Sequence, residues 1–183
     1  MKRAAPSCAT YEGAPIMNRS VVHGSFTLTR VYDASVARVF QAFANQEAKA
    51  KWFAGPGGWN LIKRAFDFRE GGREHLSGRF ENGTVTCFDC VYHDIIENER
   101  IIYSYTMELS GRRISVSQAS LQFKPEGRGA KLIVTEYGDF LDGYDDAGSR
   151  EKGTGDLLDR LGQSLVDWHV GNAGRPAVKP VIM

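Results

Sequence analysis

Hydrophobic and polar residues follow one another in an order that predicts most of this chain's elements before any motif is considered. In "SFTLTRVY", Phe26, Leu28 and Arg30 alternate with Thr27, Thr29 and Val31, the period-two pattern of a strand. In "ASVARVFQAFAN", Val36, Val39, Phe40 and Phe43 fall at helical spacing behind Ser35, a residue suited to an N-cap. Asn45 is placed to cap a second short helix, "QEAKAKWF", which Gly55 and Pro56 end. Trp52 and Phe53 then lie on its last turn and Trp59 on the loop that leaves it. Six more strand candidates follow: "LIKRAFDFR", "REHLSGRF", "TVTCFDCVYHDII", "IIYSYTMEL", "RISVSQASLQFK" and "AKLIVTEYGDF". Gly71-Gly72, Asn82-Gly83, the polar run 97–100, Ser110-Gly111 and Pro125-Glu126-Gly127 divide them, which is the punctuation of an antiparallel meander. "LDGYDDAGSREKGTG" reads as a polar loop. Beyond it Leu157, Leu158, Leu161, Leu165 and Trp168 make one apolar stripe on a last helix.

The order strand, two short helices, six strands and long helix specifies an α+β fold. A curved seven-stranded antiparallel sheet has one face to hide, and a single long C-terminal helix is available to hide it. A sheet wrapped around one helix tends to leave a cavity between them, a common setting for a ligand site. Residues 1–20 carry Pro, Gly and small residues without periodicity and read as a flexible extension. The domain then spans 21–171, and 172–183, with Pro176 and Pro180, reads as a loose tail.

Composition narrows the function classes. With 183 residues, 42% hydrophobic, 25% charged and a formal net charge of +1, the chain is an ordinary globular domain. No basic surplus calls for nucleic acid, and no apolar run approaches the roughly 18 residues of a membrane span. Lys2 and Arg3 are not followed by the apolar stretch of a secretory signal, so a cytoplasmic location is expected. Cys8, Cys87 and Cys90 are an odd number, against a disulfide framework. Cys87 and Cys90 do form C-F-D-C, but side chains three apart on a strand point to opposite faces, and no second ligand pair is present. Neither G-x-S-x-G nor a phosphate-loop spacing occurs, and His93 and His169 have no partner at metal spacing. No metal and no cofactor are expected, and no catalytic residue can be assigned.

Several stretches carry a family resemblance: "VYDASVARVFQAF", "KWFAGP", "FDFREGG", "VYHDIIENERIIYSY" and "GTGDLLDRLGQSL". In their order they resemble the START-like helix-grip fold of the SRPBCC superfamily. Within it the match is to the group named for the heat-shock protein 90 ATPase activator, which includes polyketide cyclase-like proteins. The resemblance covers about residues 24–170. It implies a central cavity that takes hydrophobic or aromatic small molecules, with cyclisation or related chemistry in some members and chaperone partnership in others.

The candidate site follows from the aromatic surplus. Trp52, Phe53, Trp59, Phe66, Phe68, Phe88, Tyr103 and Tyr105 either line such a cavity or fill the space under the helix, with Leu158 and Leu161 facing them from the helix. Trp52, Phe53 and Trp59 flank a Gly-Pro-Gly-Gly turn and are expected at its mouth. His75 could act as a general acid or base if it faces inward; a surface or structural role is the commoner outcome. Glu136 alternates with Leu132 and Val134 and so shares their apolar face. Pairing with an arginine such as Arg113 is favoured over a catalytic role, because an isolated buried charge is costly. A hydrophobic small molecule is thus the expected partner. A chaperone-cofactor role without catalysis is the alternative, and the exposed edges of an antiparallel sheet leave a homodimer open.

Overall fold

The computed structural model describes residues 19–172, with side chains through 166. The expectations for residues 1–18, for the tail from 173 and for the Trp168 and His169 side chains lie outside the described residues. Strand β1 (Val21–Tyr32) leads into helices α1 (Val36–Ala44) and α2 (Gln46–Ala50). Strands β2 (Trp59–Phe66), β3 (Arg73–Phe80), β4 (Val85–Ile96), β5 (Arg100–Leu109), β6 (Arg112–Glu126) and β7 (Gly129–Leu141) follow, and helix α3 (Ala147–Asn172) closes the order. All seven strands form one antiparallel sheet in the order β1-β7-β6-β5-β4-β3-β2, so β1 closes the meander on β7. This is the expected helix-grip arrangement.

The short helices start where their caps dictate. The Ser35 hydroxyl accepts from the Arg38 N–H at 3.3 Å, and the Asn45 side chain accepts from the Ala48 N–H at 3.0 Å. Asn45 also closes α1, its own N–H donating to the Gln41 carbonyl at 3.0 Å.

Three boundaries differ from expectation. Helix α2 ends at Ala50, which leaves Trp52 and Phe53 in the turn after it and not on its last turn. Trp59 is the first residue of β2 and not part of a loop, while Phe68 falls in the turn after that strand. Helix α3 begins at Ala147, inside the stretch read as a loop. Gly148, Gly153 and Gly155 lower its local propensity by about 1 kcal/mol each. The Asp146 carboxylate nonetheless caps it, accepting from the Ser149 N–H at 2.9 Å and from the Ser149 hydroxyl at 2.8 Å. Packing across β1 does the rest.

Strand register lays the inner face out in rows. Phe26, Glu136, Ala119, Tyr103 and Tyr92 stand side by side across β1, β7, β6, β5 and β4. The row beyond runs Gly24, Gly138, Ser117, Tyr105, Cys90, Glu74 and Phe66. Gly24 is required there, since an added Cβ would lie 2.6 Å from the Ala147 Cβ where α3 crosses the strand. Cys90 is free, and burial pushes its thiol up to about 12. Cys87 lies on the opposite face, as alternation requires.

Residues from α1, α2 and the turn after α2 plug one end of the sheet's concave side. Phe43 meets Phe123 at 5.6 Å and Trp52 at 4.8 Å between ring centroids, and the Trp52 indole N–H donates to the Ala42 carbonyl. Beneath them the Lys49 ammonium donates to Glu74 at 2.5 Å and to the Tyr92 hydroxyl at 3.2 Å, and Tyr92 donates to Glu74 at 2.6 Å. Both ionic side chains are buried, so each is tolerated only because of the other. Lys49→Met alone is expected to lose about 3 to 5 kcal/mol in urea unfolding. The Lys49→Met/Glu74→Met double variant should recover most of that loss. Equal losses in both would contradict this account of the pair.

Candidate functional site

Helix α3 is held at a fixed height over the sheet. The Tyr32 hydroxyl donates to the Leu158 carbonyl at 2.9 Å, Arg30 pairs with Asp159 at 2.8 Å, and Arg38 donates to the Leu165 carbonyl. Under its first half, beyond the end that α1 and α2 plug, a cavity of about 290 Å³ remains. Phe43 and Trp52 form its back wall, and Leu76, Phe88, Tyr103, Met107, Leu121 and Val134 form its floor. Leu157 and Leu158 form its roof.

The mouth is built on glycine. The Trp59 indole lies between Gly55 and Gly78: a Cβ on either would come within 2.2 Å of it. Its N–H donates to the Thr86 hydroxyl at 2.9 Å. Two arginines hold the loop over the opening by its carbonyls. Arg160 of α3 donates to Ala54 at 2.7 Å and to Gly55 at 3.1 Å, and Arg64 of β2 donates to Phe53 at 2.6 Å. Phe53 is positioned further by the Lys49 ammonium, 4.8 Å from its ring centroid.

The far end is polar. Tyr105 donates to Glu136 at 2.6 Å, and Arg150 donates to the Tyr105 oxygen at 2.6 Å and lies 3.5 Å from Glu136. The guanidinium also donates to the Ser115 hydroxyl at 2.7 Å and pairs with Asp145. Glu136 is 3% exposed. Burial raises its carboxyl above the ordinary range, outweighing the Tyr105 hydrogen bond and the Arg150 charge. The arrangement can accept or deliver a proton at a ligand atom and can orient a hydroxyl or carbonyl.

Of the residues singled out from sequence, Trp52, Phe53, Trp59, Phe88, Tyr103, Tyr105, Glu136 and Leu158 border the cavity. Trp52 does so from inside the core, at 3% exposure, and not from the mouth. Four others stand elsewhere. Phe66 and Phe68 stack on each other at 5.9 Å, with Phe68 packed on Phe40 and Tyr92 at the plugged end. Leu161 is wholly buried in the core one turn past the cavity. His75 points to the outer face, because Glu74 and Leu76 both point in. It contacts Asp89 at 2.8 Å and Ser77 at 3.0 Å. Glu136 pairs with Arg150 and not with Arg113, which is engaged by Glu108.

Arg150 and Arg160 were missed. A signal existed for Arg150, which lies seven residues before Leu157 and so falls on the same helical stripe.

A family model described as Activator of Hsp90 ATPase homolog 1-like protein matches residues 33–165. No curated protein matches the chain significantly. Among solved structures, a protein from Rhizobium leguminosarum is similar at 40% identity and a TM-score of 0.79, over 82% of this chain and 99% of that one. A protein from Rhizobium loti is similar at 36% identity and a TM-score of 0.73, over 79% and 99%. A protein of the dynemicin biosynthetic locus, DynU16, shares the fold at 16% identity and a TM-score of 0.55, over 78% of this chain and 47% of that one.

The raised Glu136 carboxyl has a consequence for stability. It binds its proton more tightly folded than unfolded, so its favourable contribution is full below the ordinary glutamate range and is lost as pH rises. Glu136→Gln is therefore expected to gain stability relative to the parent as pH is raised from about 4 to 7, followed by urea midpoints. A constant difference across that window would contradict the assignment.

Proposed function

The chain belongs to the family of Activator of Hsp90 ATPase homolog 1-like proteins, and on that premise we propose that it binds a hydrophobic or aromatic small molecule between the sheet and α3. The observation that carries this reading is the cavity itself: aromatic and aliphatic walls with a few polar groups confined to its ends, the composition of a ligand pocket. Burying apolar ligand surface there is worth about 25 cal/mol per Å². Flat ligands gain further from edge and face contacts with Phe53, Trp59 and Phe88. Occurrence of the fold in a protein of a biosynthetic locus supports a small-molecule role.

The polar end gives the reading its chemistry. Glu136 is the group able to exchange a proton with a bound ligand, while Tyr105 and Arg150 hold its orientation. Cyclisation or a related step that begins by moving a proton suits such a carboxyl. A chaperone-cofactor role draws on the family description alone, and the cavity adds nothing to it.

Titration with planar aromatic compounds is expected to change tryptophan emission saturably. Trp59→Phe should remove most of the response while leaving the fold intact by circular dichroism. A folded protein whose emission is indifferent to a diverse panel would overturn the reading.

A further inference from the structure

The two ends of the cavity carry opposite excess charge. At the far end one cation, Arg150, faces two carboxylates, Glu136 at 3.5 Å and Asp145. An incoming acid there would meet a site already over-supplied with negative charge. At the mouth Arg160 spends its donors on two neutral carbonyls, those of Ala54 and Gly55. The nearest acids on α3 are engaged elsewhere, Asp156 with Lys152 and Asp159 with Arg30. No carboxylate among the described residues forms an ion pair with Arg160. The two arginines are ten residues apart on one helix, about 15 Å along its axis. A ligand lying along the cavity therefore spans a field that runs from basic at the mouth to acidic at the far end.

Size narrows the class further. A volume of about 290 Å³ is at the small end of ligand pockets. Its aromatic walls fit two fused rings better than a long acyl chain.

Resting on the small-molecule reading above, we propose that the ligand is a flat aromatic acid with a hydroxyl at its opposite end. The hydroxyl enters first and hydrogen-bonds Glu136, and the acid stays at the mouth beside Arg160. Arg150 does not bind the acid. It keeps Tyr105 and Glu136 in place to receive the hydroxyl.

Three probes with one ring system separate the two ends: 6-hydroxy-2-naphthoic acid, 2-naphthol and 2-naphthoic acid, titrated by calorimetry at pH 7. The doubly substituted probe is expected to bind most tightly. Glu136→Gln should weaken it and 2-naphthol by about tenfold, the scale of one hydrogen bond to a charged group, and leave 2-naphthoate unchanged. Arg160→Gln should do the reverse, weakening both acids and sparing 2-naphthol. Circular dichroism confirms that each variant is folded. If Glu136→Gln strengthens 2-naphthoate, the acid enters the far end and the proposed orientation is wrong. If Arg160→Gln weakens 2-naphthol equally, Arg160 serves only to hold the loop and the mouth assignment fails. Equal binding of all three probes overturns the proposal but leaves the small-molecule reading standing. Binding of none by a folded protein removes both.

Discussion

One helix cannot cover seven strands, and the rest of this structure follows from that mismatch. Six inter-strand spacings make a flat sheet roughly 29 Å wide, whereas a helix with its side chains is about 10 to 12 Å across. The sheet must bend, and the concave space must still be filled. Helix α1 fills one end with Phe40 and Phe43, and the turn after α2 adds Trp52. They stop short of the other end, and α3 cannot settle into it because Tyr32, Arg30 and Arg38 hold it at a set height. The cavity is what that geometry leaves over.

Buried charge is handled the same way at both ends, with different consequences. At the plugged end Lys49 and Tyr92 both donate to Glu74 Oε2 inside a wall of rings, and the Glu74 Oε1 is left without a partner. At the far end of the cavity Arg150 holds Tyr105 and Glu136 along the cavity border. Removal of one partner is costly in either cluster. Only the second cluster borders the cavity.

The element order, the Ser35 and Asn45 caps and the hairpin turns were legible in the sequence, because each rests on local chemistry that reads without tertiary context. Alternation also placed Glu136 on the inner face, and Tyr103 and Tyr105 border the same cavity. It failed where a tertiary contact overrode propensity. The glycines at 148, 153 and 155 hid the first two turns of α3, and Arg150 with them. Trp59 looked like a loop residue because its place in β2 depends on Gly55 and Gly78 leaving room for the indole. The inward pointing of Glu74, which turns His75 outward, depends on Lys49, 25 residues earlier in the chain. No local pattern encodes that contact.

The most direct measurement is amide chemical-shift mapping on the isotopically labelled protein during titration with 2-naphthol. A ligand in the cavity is expected to shift amides of β5 and β7 around Tyr105 and Glu136, of the rim around Trp59, and of α3 between 150 and 160. The His75 and His93 amides, whose side chains face away from the cavity, should stay still. Saturable shifts confined to the outer face of the sheet, or none at millimolar ligand, would contradict a ligand site between sheet and helix.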